Sequence, residues 1–354
     1  MGFSTFNLVS TALESPALMG ARAAKDLAAT LNAGFTSIRE PGGYAIDIAK
    51  AIEEGWLPGP HVYGAGAILS QTAGHGDMHG LPLSTVQRNG QEWTVAHVCD
   101  GVDECTKAVR KQIRRGAQCI KLCATGGVLS VIDSPRAPQF SPAELKAMVD
   151  EASRVGVAVA AHAHGKEGIM AALEAGVHTI EHGSYLDEEA IALMKKKGAI
   201  LVATRSISAY GVANRHLMPP AQGRKFLEVD EQHKKAYALA VKSGVRIALG
   251  TDLGVSSPSI HFNHGMNGQE FYWAIEAGMS PMQAIEAGTA NAPEVLGPRA
   301  PKSGQLREGY DADFIAVVRS PLEDIKVLSE AANVSHVWKA GVLCKEPGRQ
   351  VGLI

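Results

Sequence analysis

The sequence predicts an α/β fold, a (β/α)8 barrel of the TIM type followed by a small β segment. Three observations carry that prediction. Six times a helix-like stretch closes on a glycine and a short apolar run follows: Gly34 to Glu40, Gly116 to Lys121, Gly156 to His162, Gly176 to His182, Gly198 to Thr204 and Gly244 to Asp252. Glycine just past a helix is a common left-handed cap, and a short apolar run between breakers reads as a strand buried on both faces. Second, a residue able to bind a metal or a proton tends to end each run, and chemistry gathered at strand C-termini marks a barrel mouth. Third, the pattern changes after Ala300, where Gly304–Val318 and Val334–Cys344 alternate like exposed strands around Gly309-Tyr310 and Ala340-Gly341 turns.

In chain order, helices are expected over Pro16–Asn32, Tyr44–Glu54, Val102–Arg115, Ser141–Val155, Lys166–Ala175, Asp187–Lys197, Ala221–Ser243 and Asn267–Ala277. Capping boxes with proline at the first helical position stand at Ser141-Pro142-Ala143-Glu144 and Ser280-Pro281-Met282-Gln283. A further strand is expected over His61–Ile68, after the Pro58-Gly59-Pro60 break. Residues 1–300 are assigned to the barrel and 301–354 to the remnant of a small β domain. The stretches Ser70–Gly90, Thr125–Phe140, Ser206–Pro220 and Leu253–Gly265 read as loops, longer than connections require and rich in Gly, Pro, Ser and His. Long loops on one face of a barrel build its pocket.

Composition narrows the function. The chain has 354 residues, 45% hydrophobic and 20% charged, with a net charge of -2 and no basic run suited to nucleic acid. Five cysteines, Cys99, Cys105, Cys119, Cys123 and Cys344, form no CxxC pair and read as reduced thiols of a cytoplasmic protein. No apolar stretch approaches a membrane span, and the first fifteen residues lack the basic and apolar parts of an export signal.

The polar residues at the ends of the runs are unlike one another in type and alike in position. Lys121 lies inside an apolar strand, where a lysine is paired, neutral or modified unless it snorkels to solvent. His162 and His164 share one side of a strand by period-two geometry, and imidazole is a common zinc ligand. His182 follows Thr179-Ile180-Glu181, and Asp252 closes Ile247–Thr251. Each alone has a structural explanation; four on the strand ends of one parallel barrel converge on one mouth. Cys119 and Cys123 face the same way as Lys121, either as soft metal ligands or as small thiols filling the core.

These residues resemble the amidohydrolase superfamily, in particular its prolidase-like branch of metal-dependent dipeptidases and N-acyl amino acid hydrolases, which includes ochratoxin-hydrolysing enzymes. The resemblance runs from about Ala21 to the C-terminus. It rests on Ala33-Gly34-Phe35-Thr36, Gly74-His75-Gly76-Asp77, Lys121 with Ala124-Thr125-Gly126-Gly127, His162-Ala163-His164-Gly165, Ile180-Glu181-His182-Gly183, Gly250-Thr251-Asp252, His264-Gly265 and Gly309-Tyr310-Asp311-Ala312-Asp313. It implies that Lys121 is carboxylated by CO2 and bridges divalent metal ions, with zinc the expected ion. His162 and His182 would hold the more buried ion. Asp252 would ligate the other and act as general base for a metal-bound hydroxide attacking an amide bond of a dipeptide or N-acyl amino acid. His164 and His75 would donate to the developing oxyanion. By the same resemblance a His-x-His on the first strand falls upstream of Met1, so the barrel is expected to lack its first strand, its β domain to be incomplete, and one metal to be held better than two. In that site His164 is the alternative fourth ligand.

Arg136, Arg205, Tyr210 and Arg215 sit in the expected pocket loops and are candidates for binding a substrate carboxylate. Hydrolysis of aryl esters, carbamates or organophosphates is the alternative on the same site. A non-catalytic binder or a partner-dependent subunit is the alternative from another class, and a Schiff-base aldolase on Lys121 leaves the histidines without a joint purpose. The expected partner is a small molecule, with no nucleic acid and no membrane, and the chain is expected to form a homo-oligomer.

Overall fold

The computed structural model describes residues 1–5, 7–91, 95–257 and 262–352. Its strands are β1 (Ser37–Glu40), β2 (His61–Gly64), β3 (Ile68–Ser70), β4 (Ala96–Val98), β5 (Cys119–Cys123), β6 (Ala158–Ala163), β7 (Thr179–His182), β8 (Ile200–Val202), β9 (Phe314–Val317), β10 (Val334–Lys339) and β11 (Val342–Lys345). Its helices are α1 (Leu8–Ala12), α2 (Pro16–Asn32), α3 (Ala45–Glu53), α4 (Leu83–Gln91), α5 (Gly101–Arg114), α6 (Pro142–Ser153), α7 (Lys166–Ala175), α8 (Glu188–Lys197), α9 (Arg205–Ala213), α10 (Pro220–Lys242), α11 (Gln269–Glu276) and α12 (Pro281–Gly288). Among the described residues no helix is long and apolar enough to cross a membrane.

The glycine-capped ladder is real. Gly34, Gly116, Gly156, Gly176, Gly198 and Gly244 all have positive φ, and both capping boxes are formed. The fold is α/β, a central parallel sheet with helices packed outside it. Parallel strands run β5, β6, β7, β8 in register, and Gln118 N donates to Gly64 O at 2.9 Å, which joins the parallel β1–β2 pair to the foot of β5. Side chains alternate: Ile120 and Leu122 pack outward on the helices, while Cys119 packs inward with Ile200, Val202 and Ala248. Val295 and Leu296 close this inner layer from below.

Four expectations needed correction. The strand expected over His61–Ile68 is two short ones, because Gly66 has φ +77 and the Gln112 side chain accepts from Ala67 N at 2.9 Å, which takes that amide out of the ladder. Helices α4 and α9 occupy parts of stretches read as loops. For α9 the cause is tertiary: the Glu270 carboxylate accepts from the amides of Arg205 (2.7 Å) and Ser206 (2.9 Å), capping a helix whose own sequence supplies no cap. The Gly244–Asp252 run forms no full strand and meets β8 through a single Leu201–Ile247 bridge. Beyond the bridge, Leu249 N donates to Ala287 O in α12 and Asn291 Nδ2 donates to Ile247 O. Of the loop read over Leu253–Gly265, residues 258–261 lie outside the described residues.

Residues 1–3 meet this last run at the mouth. Phe3 bridges Val255, Ser256 N donates to Phe3 O at 2.8 Å, and the Met1 amine pairs with Glu40 at the end of β1. The C-terminal strands form an antiparallel sheet in the order β11-β10-β9, seated on α2 where Val334 and Val337 pack against Leu31.

Candidate metal centre and active site

Three strand ends aim their side chains into the mouth by unusual backbone geometry. His182, Thr204 and Asp252, at the ends of the β7, β8 and Gly244–Asp252 runs, all have positive φ (71°, 55° and 55°). Such conformations cost non-glycine residues on the order of 1–3 kcal/mol, and they are held where tertiary structure over-determines them.

The outcome is a histidine cluster. His162 and His164, on one side of β6, meet His182 from β7, and one ligand atom from each lies within 4.8 Å of the others. All three are buried. Burial is the first cause that drives each imidazole well below its ordinary pKa, followed by neighbouring histidines, so all three are neutral, the form that binds a cation. The second nitrogen of each ring is held. His162 Nε2 lies 3.0 Å from Gly126 O, His164 Nδ1 2.7 Å from the Ser184 hydroxyl, and His182 Nδ1 2.7 Å from the Thr204 hydroxyl. A carbonyl only accepts, so His162 carries its proton on Nε2 and keeps a free lone pair on Nδ1. Three buried neutral imidazoles with oriented rings fit a divalent cation.

Lys121 is buried on β5 between Cys119 and Cys123. Burial pushes its ammonium pKa down against the raising effect of Glu181. Glu181 is itself held below its ordinary range despite burial, chiefly by Arg39, whose guanidinium reaches across from β1 to bond it at 2.6 Å. Asp252 lies deep in the molecule, where burial lifts its carboxyl to about 6 against the pull of Lys121. Its side chain is nonetheless exposed, lining the mouth rather than the core, and water reaching it moderates that rise. Cys119 and Cys123 are pushed up to about 11 and about 12 by burial, which keeps them thiols, and Cys119 fills the inner apolar layer.

His75 stacks on His162, with ring centroids 4.2 Å apart. The four pocket-loop candidates scatter. Arg205 is buried, paired with Asp230 and placed over Trp273. Arg215 donates to Val212 O in its own turn, and Tyr210 stacks on Phe262 in an apolar group with Ile207 and Leu253. Arg136 stands on the rim, over Tyr185 and paired with exposed Glu228, its backbone against Gly165 next to His164. Ser184 and the Gly126 carbonyl carry no signal in the sequence, whereas Arg39 stands out as a cation inside an apolar run and Thr204 as the end of the Gly198 run.

The amidohydrolase family model matches residues 4–344. The chain is 49% identical to ochratoxinase of Aspergillus niger over 345 residues, 94% of this chain and 70% of that protein. The crystal structure of A. niger ochratoxinase superposes with a TM-score of 0.88, covering 95% of this chain and 78% of the other at 47% identity. A Xaa-Pro dipeptidase with bound methionine in its active site is 35% identical, with a TM-score of 0.84 over 93% of this chain and 80% of its own. A prolidase complexed with N-methylphosphonate-L-proline is 33% identical, with a TM-score of 0.88 over 98% of this chain and 84% of its own.

Proposed function

Because this chain belongs to the amidohydrolase family, we propose that it hydrolyses the amide bond of an N-acyl amino acid or dipeptide beside a free carboxylate, with a divalent cation. The observation that carries this reading is the neutral His162, His164 and His182 cluster with every ring oriented by a second partner. The named substrates of the similar proteins, ochratoxin and Xaa-Pro dipeptides, supply the substrate class.

A cation there, taken as zinc, would supply Lewis acidity to water and to the scissile carbonyl. His162 and His182 would hold it, with His164 as the third member of the cluster. Lys121 is the residue to carry a CO2-derived carboxylate: burial lowers its ammonium pKa and so favours the free amine, the species that adds to CO2, and the resulting anion is better matched to a cation site than an ammonium. Asp252 accepts a proton from the attacking water and returns it to the leaving amine. Arg136 is the rim residue a substrate carboxylate would reach, since its pair with Glu228 is open to solvent and can be exchanged, whereas Arg205 is buried with Asp230. The homo-oligomer, the small-molecule partner and the boundary at residue 300 belong to the same reading.

The test is metal content together with hydrolysis of N-acyl amino acids, dipeptides and aryl esters by wild type and Lys121→Ala. Amide hydrolysis and bound metal that both fall in the variant are expected. Equal activity in the two proteins overturns the reading, and hydrolysis confined to the esters replaces it with the esterase alternative.

A further inference from the structure

The loops carrying His75 and Asp133 meet in a network that the hydrolase reading leaves without a task. His75 Nδ1 lies 2.8 Å from the Ser130 hydroxyl, which also contacts Asp133 Oδ1 and stands 3.2 Å from Gly127 O. The Asp133 side chain is 5% exposed and accepts from Gly127 N (3.3 Å), Gln139 Nε2 (3.2 Å) and Lys225 Nζ (3.2 Å). Lys225 reaches over from α10 and also donates to the carbonyls of Gly127 and Ser130, which pins the loop. Gln139 Oε1 accepts from His75 N at 3.0 Å, so Asp133 is linked to the backbone and the ring of the same histidine. The ring lies close between the Gly127 backbone and His162. A Cβ on Gly127 would fall 2.2 to 2.6 Å from Cε1, Nδ1 and Nε2, and His162 stacks on it at an interplanar angle of 18°.

The hydrogens around Ser130 set the tautomer of His75. Ser130 has one hydroxyl hydrogen, and its neighbours Asp133, ion-paired with Lys225, and Gly127 O can only accept. The Ser130–Asp133 contact is the shortest the hydroxyl makes, which places its hydrogen toward the carboxylate, so Ser130 turns a lone pair to His75 and Nδ1 is the protonated nitrogen. We propose that Asp133, acting through Ser130, is a positioning residue that fixes the proton of His75 on Nδ1 and leaves Nε2 as a hydrogen-bond acceptor beside His162. Resting on the hydrolase reading, this gives His75 the task of accepting from the attacking water or a substrate N–H. It removes the oxyanion-donor role that the sequence resemblance implied.

The test uses the full chain with 15N-labelled histidine, since two-bond 1H–15N correlations report the tautomer whether or not hydrolysis is observed. The His75 signals, identified by their loss in His75→Gln, are expected to show Nδ1–H in wild type. In Asp133→Asn the carboxamide can donate to Ser130, and the proton of His75 is expected on Nε2. With the amide substrate, kcat is expected to fall about 10- to 100-fold with KM unchanged. Ser130→Thr keeps the hydroxyl and restores both, while Ser130→Ala matches Asp133→Asn and serves if that variant does not fold. An Nε2–H signature in wild type, or a tautomer unmoved in both Asp133→Asn and Ser130→Ala, overturns the proposal. Absence of amide hydrolysis in wild type with the expected tautomers overturns the hydrolase reading and leaves this one standing.

Discussion

Two arcs of the same barrel wall are built differently. From β5 to β8 the strands are buried, joined by continuous parallel ladders, and end in the histidine cluster. From Gly244 round to β1 the wall holds by one bridge at Ile247, a second between Phe3 and Val255, and the Met1–Glu40 pair at the mouth. The first arc places its side chains through ladder register, the second through individual loop contacts. A ligand set needs positions fixed to a fraction of an ångström, and ladders supply that. A base that moves protons tolerates, and uses, exposure to water. That is where Asp252 lies.

Breaking the first arc should cost most. His182→Ala is expected to lose bound metal and amide hydrolysis together, read by metal analysis and initial rates. Retention of both would move the metal site elsewhere. Next, Asp252→Asn should lower kcat about 10²- to 10⁴-fold while metal content stays at the wild-type level, because the residue serves the reaction from the other arc. Its pH dependence has a definite sign. With a carboxyl raised to about 6, the base form is lost as pH falls, so kcat/KM rises with pH and levels off above about 6. A bound cation favours the carboxylate and shifts that limb lower, never higher. A limb absent in wild type, or unchanged in Asp252→Asn, removes Asp252 as the base.

The buried Arg39–Glu181 pair ties the arcs together across the barrel. Arg39→Met leaves Glu181 buried without its partner and should destabilise the fold by about 3–5 kcal/mol, read by denaturant unfolding. Last, Thr204→Val removes only the hydroxyl at His182 Nδ1 and should weaken metal binding about 10- to 100-fold with the fold intact, measured by competition with a chelator. An unchanged affinity would mean that β7 alone orients His182.

Much of the first arc can be read from the chain. Gly116, Gly156, Gly176 and Gly198 mark helix ends, and the apolar runs after them become β5 to β8 because each is long enough to bury and has a neighbour to pair with. The Gly244 run looks the same in sequence and does not become a strand, since strand formation depends on a partner rather than on the run itself. Helix α9 was missed for the converse reason: its cap is Glu270, sixty-five residues beyond Arg205. Of the site, the residue types and their strand-end positions were visible at Lys121, His162, His164, His182 and Asp252. Thr204 was visible only as the end of a run, and the other orienting oxygens were not visible, because Ser184, Ser130 and Gly126 O carry no pattern that separates them from ordinary turn residues.

The alternation of helix and buried strand, and the placing of metal-binding side chains at strand ends, are written in the chain. Both follow from local periodicity and caps, which act within a few residues of chain. Tertiary structure alone decided which nitrogen of each histidine is free, which arginine is already paired, and that Asp252 faces open space. Those outcomes are set by hydrogen-bond and ion-pair partners brought together from distant positions, and a partner's distance in sequence says nothing of its distance in space.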